Sequence, residues 1–109
     1  MTTLADFLLA RIAEDEAAAR EIPAGTWEDA TQASWRYDHV FRWSPERVLA
    51  ECAAKRAIVE KAQRADEAFG RQINPATSAA SFALTEVLCR LAAPYADHPD
   101  YDPAWKVEP

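Results

Sequence analysis

Glycine is scarce in this chain, and its scarcity excludes several kinds of site. The only glycines are Gly25 and Gly70, so no glycine-rich loop is available to hold a nucleotide phosphate. The only cysteines, Cys52 and Cys89, are too far apart to form a Cys-x-x-Cys metal motif. We expect both to be small buried hydrophobic residues in a reducing compartment. A disulfide or a metal role is the alternative.

Positive charge is also in deficit. The formal net charge is −6, and the acidic excess lies mainly in residues 1–22 and 73–109. Proteins that bind nucleic acid neutralise its phosphates with clustered lysine and arginine. No basic stripe of that kind is visible, so direct nucleic-acid binding is disfavoured. An acidic surface is instead suited to a basic protein partner.

Long apolar runs are missing as well. None approaches the roughly 20 residues that a membrane-spanning helix needs, and the first residues lack the basic start of a signal peptide. We therefore expect a cytoplasmic protein with no membrane partner. The chain of 109 residues, of which 28% are charged, predicts one globular domain covering residues 1–109.

Two segments have the pattern of long helices. Residues 4 to about 21 combine apolar residues at helical spacing with strong helix formers, and Thr3 or Thr2 can cap them. Phe7 lies opposite that apolar stripe, so it meets the C-terminal tail or the hairpin predicted for residues 26–43, or else it is exposed. Residues 45–69 begin with Ser44 as N-cap and Pro45 at the first helical position, with Gly70 as the predicted end.

A third helix is predicted over residues 77–92. Asn74 and Pro75 open this element, and Thr77 or Ser78 is a second candidate cap. Its apolar residues recur at helical spacing and should face the core. They are Ala80, Leu84, Val87, Leu88 and Leu91.

Within residues 26–43 the spacing of the ring-bearing side chains changes from helical to every second position. Trp35, Tyr37, His39, Phe41 and Trp43 alternate with mostly polar residues, which is typical of a strand. We therefore predict a short aromatic-rich β-hairpin and a mainly α fold of the α+β class. The aromatic row either forms half of the core or, through Trp35, Tyr37 and Phe41, binds a partner.

The C-terminal tail, residues 94–109, has repeated prolines and aromatic residues, so we expect it to be extended and pressed onto the helices by Tyr95, Tyr101 and Trp105. Asp97, His98, Asp100, Tyr101 and Asp102 form a dense polar group within this tail. They either dock the tail, with Asp97 and Asp100 pairing with Lys55 or Arg56, or bind a partner. A hard metal ion is a further alternative, and we predict no metal site.

The tail Leu-Ala-Ala-Pro-Tyr-Ala-Asp-His-Pro-Asp-Tyr-Asp-Pro-Ala-Trp at 91–105 resembles a family of small actinobacterial and actinophage proteins classed as a domain of unknown function. The runs at 44–56 and 8–19 resemble the same family. The resemblance implies a host context and little chemistry. Relatives often have His-x-x-x-His before helix 2, whereas this chain has His39 and Trp43; a metal bound there by relatives would not be bound here.

No catalytic residue is predicted, because Cys52 and Cys89 lie inside predicted helices, where thiols are usually inert. We therefore expect no enzyme and no cofactor. The leading hypothesis is a protein-interaction module, phage-derived and acting on an unknown host protein, with a homodimer also open. An acidic mimic of nucleic acid that binds a DNA- or RNA-binding protein is the first alternative. A metal-binding or enzymatic domain is the second.

Overall fold

The computed structural model describes residues 2–22 and 44–108. Within them lie three α-helices, which are α1 (Leu4–Arg20), α2 (Pro45–Arg71) and α3 (Pro75–Ala92). Two short 3₁₀ turns follow at Ala93–Tyr95 and Pro103–Trp105. None of the described helices is both long and apolar enough to span a bilayer.

The predicted α+β class is wrong, because the regular structure of the described residues is helical throughout, with no strand. The hairpin itself was predicted for residues 26–43, which lie outside the described residues. The expectation of a wholly extended tail is wrong as well. Pro94 and Pro103 lie at the starts of the two 3₁₀ turns. The amide of a residue at such a start needs no helical acceptor, so proline's missing N–H costs nothing there, and its fixed φ suits a helical start.

The helices begin where side chains cap them. The Thr3 hydroxyl accepts from the Asp6 amide at 3.1 Å, and the Ser44 hydroxyl accepts from the Arg47 amide at 3.3 Å, so both predicted N-caps are confirmed. Asn74 and Thr77 form a capping box. That box starts α3 at Pro75, as the Asn74–Pro75 pair predicted, and two residues before the predicted helix bound at residue 77.

Gly70 does not end α2, which continues to Arg71. A glycine ends a helix when the chain needs a left-handed residue there. Here the chain leaves the helix through Gln72 in extended conformation, a conformation open to any residue. Glycine is therefore not required at this end.

Neighbouring helices run antiparallel. Glu16, near the end of α1, pairs with Arg56 in the first half of α2, whereas Leu4 and Asp66 line the same cleft at the other end. Between α2 and α3, Ser81 bonds to Asp66. Helices α2 and α3 thus form a helical hairpin, and α1 lies beside it.

The core lies where the three helices meet the tail. Its buried members come from each helix, and the half-buried Tyr95, Tyr101 and Trp105 of the tail pack against them. The largest fully buried side chains are Phe7, Leu8, Ile12 and Val59. The tail therefore forms part of the hydrophobic core.

Candidate interaction surfaces

The tail is held on α1 by a cluster of aromatic rings around Phe7. This residue is 1% exposed, and its ring centroid lies 5.1 Å from that of Trp105, 6.0 Å from Tyr101 and 6.3 Å from Tyr95. The contacts with the tyrosines are edge-to-face, a favoured aromatic geometry. Phe7 therefore meets the tail, which was one of the alternatives open from the sequence.

A part-buried hydrogen bond holds the start of the tail on α1. The Tyr95 hydroxyl donates to Oδ2 of Asp15 at 2.6 Å. Burial, then this hydrogen bond and then the negative charge of Asp15 raise the pKa of Tyr95 well above its usual range. All three causes favour the neutral phenol, which is the form that donates the bond.

Arg11 makes the other polar contact between α1 and the tail. Its guanidinium lies over the Phe7 ring, with Cζ 5.2 Å from the centroid, and contacts Nε2 of His98. It also donates to Glu14 at 2.9 Å. Because a guanidinium can only donate, Nε2 of His98 must accept. The Asp100 amide lies 3.0 Å from the other ring nitrogen, so a neutral imidazole can satisfy only one of these donors at a time.

Of the five polar residues predicted in the tail, some pack against α1 and the others face solvent. His98 and Tyr101 are half-buried against Phe7. The carboxylate of Asp102 accepts from the Ala104 amide at 2.9 Å and starts the second 3₁₀ turn. Asp97 and Asp100 are exposed. The binding role predicted for these five residues stays a prediction.

The anticipated pairing of Asp97 or Asp100 with Lys55 or Arg56 does not occur. Instead, Arg56 donates to Glu16 on α1 at 2.5 Å. The tail is docked by aromatic packing and by its contacts with Asp15 and Arg11. The other predicted contact residues, Trp35, Tyr37 and Phe41, lie outside the described residues.

The described residues contain no group of three His, Cys, Asp or Glu side chains placed to hold a metal ion. A cleft of about 350 Å³ between α1 and α2 is lined in part by Asp15, Cys52 and Lys55. Cys52 is 3% exposed, and its pKa is raised, first by burial and then by the charges of Asp15 and Glu16. Burial, followed by the charge of Glu86, also raises the pKa of Cys89. Both thiols are therefore poor nucleophiles at neutral pH.

A second surface lies at the turn between α2 and α3. Ile73 is 78% exposed and Phe82 is 66% exposed. The Phe82 ring contacts Phe69 edge-to-face, with centroids 5.9 Å apart. From residue 73 to residue 85 the chain carries no charged side chain. We call residues 69–85 the hairpin tip.

The hairpin tip extends beyond the start of α1. Thr3 and Leu4 line one cleft with Asp66 of α2 and Thr85 of α3, so α1 begins level with those two residues. From Thr85 back to Pro75, α3 therefore continues for about 15 Å at 1.5 Å per residue. Along this stretch α3 packs against α2, through the Ser81–Asp66 hydrogen bond and the Phe82–Phe69 ring contact.

A comparison with protein-family models finds a match over residues 1–107 to a family described as "Family of unknown function (DUF6221)". The chain belongs to this family. The match confirms that the chain is classed with a domain of unknown function. Neither the curated proteins nor the solved structures contain a significant match to this DUF6221 chain.

The orientation of α3 in this DUF6221 protein differs from the sequence prediction. Leu88 is buried, and Leu84 and Leu91 are half-buried against the core as predicted, but Ala80 is exposed and Val87 is 38% exposed. Ser81 is buried in their place, and its hydroxyl donates to Asp66 at 2.6 Å. This bond gives the carboxylate of Asp66 on α2 a polar partner on α3.

Apolar periodicity does not reveal the hairpin tip. Phe82 lies outside the predicted stripe, and Ile73 lies before the predicted helix. The signal that could have revealed the tip is the absence of charge over residues 73–85 in a chain that is otherwise 28% charged. Depletion of charged residues is the compositional mark of an interface centre.

Proposed function

We propose that this DUF6221 protein is a non-enzymatic protein-interaction module and that the hairpin tip is its contact surface. The observation that carries the proposal is the exposure of Phe82 and Ile73 within a run of residues that has no charge. A large exposed aromatic side chain in a charge-free surface is costly to leave in water, and such patches mark binding sites. The partner surface should therefore be apolar and uncharged.

The described clefts support the proposal indirectly. The thiol of Cys52 is buried and its pKa is raised, so the cleft that it lines offers no activated nucleophile. Tail residues that looked available for partner binding hold the tail to α1 through His98 and Tyr101. Phe82 of the hairpin tip, by contrast, is 66% exposed even with the Phe69 ring against it.

The biological setting is a further part of the proposal. The runs at 8–19, 44–56 and 91–105 resemble actinobacterial and actinophage proteins. We therefore place the protein in the cytoplasm of an actinobacterial host and derive it from a phage lineage, with a host protein as a target. An actinobacterial lysate is therefore the appropriate source of candidate partners.

The acidic-mimic alternative gains no support from the charge arrangement. A mimic of duplex phosphates needs carboxylates left free along one face. Four carboxylates on the three helices instead stand beside arginines, in the pairs Arg11–Glu14, Arg47–Glu51, Arg56–Glu16 and Arg90–Glu86. Each arginine offsets the negative charge that a mimic would present.

The test is affinity purification from actinobacterial lysate with three tagged proteins. These are the wild type, Phe82→Glu at the hairpin tip, and Ala13→Glu as a control at an exposed position of α1. We expect a protein that the wild type and Ala13→Glu retain and that Phe82→Glu loses. Equal retention by all three, with circular dichroism showing all three folded, would overturn the hairpin tip as the contact surface.

A further inference from the structure

His98 joins the tail to α1 at a point where both of its ring nitrogens face hydrogen-bond donors. Nε2 contacts the Arg11 guanidinium, and Nδ1 lies 3.0 Å from the Asp100 amide. A neutral imidazole has one nitrogen that can accept a hydrogen bond, whereas an imidazolium has two N–H groups and accepts none. Protonation of His98 therefore leaves neither donor with an acceptor on the ring.

The burial of Arg11 makes this loss costly. The residue is only 7% exposed, and its Nε atom is buried without a hydrogen-bond partner among the described residues. A guanidinium keeps its charge at every physiological pH, so a protonated His98 places two cations in contact where solvent screens them poorly. Arg11 lies over the Phe7 ring, with Cζ 5.2 Å from the centroid, and it cannot reach solvent without leaving that ring.

The acidic groups near His98 do not remove this conflict. On α1, Glu14 accepts from Arg11 but is exposed, so solvent weakens its effect, and Asp15 accepts from the Tyr95 hydroxyl. The described polar contacts of His98 include no charged group of α2 or α3. The remaining carboxylates belong to the tail itself and accompany the ring whether the tail is docked or free. They are Asp97, Asp100 and Asp102.

We propose that His98 is a pH-sensitive switch that releases the tail from α1 when its ring is protonated. Histidine is the side chain whose ordinary change of charge falls between about pH 5 and pH 8. Because Arg11 disfavours the imidazolium in the docked state, docking is strongest at the upper end of this range and weakens as the pH falls through it. Release uncovers the Phe7 ring, which the tail otherwise buries.

Amide hydrogen exchange, followed residue by residue by NMR in the full chain, tests the switch. The Tyr101 amide donates to the His98 carbonyl at 3.0 Å and the Trp105 amide donates to the Asp102 carbonyl at 2.9 Å, so both report on the tail. Their exchange rates in the wild type are divided by those in His98→Gln at the same pH. We expect this ratio to rise about tenfold from about pH 7.5 to about pH 5.5, the effect of losing one hydrogen bond to a charged group.

His98→Gln is the matched control, because its side-chain oxygen can accept from Arg11 at every pH. The variant keeps His39, the other histidine of the chain, so the titration of that residue cancels in the ratio. The dependence of intrinsic amide exchange on pH cancels in the same way. Arg11→Gln should also abolish the response, since an amide can donate to the neutral ring or accept from the protonated one. Circular dichroism establishes that each variant is folded.

Three results would overturn the switch. The first is a ratio that stays constant over the whole pH range. The second is an equal acceleration at the amide of Val59, a buried residue of α2, because the whole fold rather than the tail would then be opening. The third is a response that persists in folded Arg11→Gln, since the contact between two cations would then not be its cause. If Arg11→Gln does not fold, the comparison with His98→Gln still decides the outcome.

Discussion

The rings of Phe7 and Trp105 lie with their centroids 5.1 Å apart, joining the first turn of α1 to the last turn of the chain. Phe7 also contacts Tyr95, His98 and Tyr101. One side chain of α1 thus packs against four ring-bearing residues of the tail. The stability of the tail and that of the helices should therefore be linked through this residue.

Phe7→Ala should lower the free energy of unfolding by about 3–5 kcal/mol, because it removes a fully buried aromatic ring and leaves a cavity. Phe82→Ala is the matched control: the same change at a ring that is 66% exposed should alter stability by at most about 0.5 kcal/mol in the monomer. Urea unfolding at low micromolar concentration measures both. Equal effects of the two changes would contradict the burial described for Phe7.

Tyr95→Phe should cost about 1 kcal/mol near neutral pH, because Asp15 loses its hydrogen-bond donor. Folding raises the pKa of Tyr95 above its ordinary value near 10. The stabilising effect of the hydroxyl is therefore complete below about pH 10 and is lost as the pH rises beyond it. The stability difference between wild type and variant should shrink only above that pH.

Thermal or urea unfolding of both proteins from about pH 7 to about pH 11 makes this comparison. Lysines, cysteines and the other tyrosines ionise in both proteins, so their contributions to the free energy of unfolding cancel in the difference. A difference that stays constant to the highest pH would contradict the role assigned to the Tyr95–Asp15 bond.

Trp105→Ala should release the end of the tail without unfolding the helices. Loss of a half-buried indole costs about 2 kcal/mol, less than a fully buried one, and raises the open population of the tail about 30-fold if opening is fast. Chymotrypsin cleavage after Tyr101, followed by mass spectrometry, should accelerate accordingly. Trp105→Phe keeps an aromatic ring against Phe7 and should restore most of the protection. Unchanged cleavage in Trp105→Ala would contradict the docked tail.

Both thiols should react slowly with Ellman's reagent at neutral pH. Burial raises the pKa of Cys52 and of Cys89, which lowers the fraction of reactive thiolate. Cys52 is buried and Cys89 is only half-buried, so Cys52 should be the slower of the two. Cys89→Ser isolates Cys52, and the denatured chain gives the unhindered rate. Reaction of folded Cys52 at the denatured rate would contradict its position in the core.

Helix starts that depend on a capping side chain or a proline next to the first turn were predicted correctly from the sequence. Thr3 and Ser44 cap through their own hydroxyls, and Pro45 fits a first helical position, so these starts could be read from neighbouring residues. The docking role of Tyr95, Tyr101 and Trp105 was also readable, because aromatic residues between prolines have few other ways to become buried.

Other features depended on residues that are far apart. Ser81 of α3 is buried and bonds to Asp66 on another helix, whereas helical periodicity alone placed Ala80 inward. Gly70 looked like a helix end, yet the end of α2 is fixed by the turn into Asn74 and its cap.

The amino-acid sequence by itself determined the helical segments, the acidic charge and the charge-free run at 73–85, because these depend only on which residues follow one another. Tertiary structure decided that Phe7 is buried and Phe82 is exposed. Both are phenylalanines within helices; the tail packs over Phe7, whereas the described ring contact of Phe82 is with Phe69 at the end of α2. Burial is a property of the neighbours that a residue acquires on folding, which residue type alone does not determine.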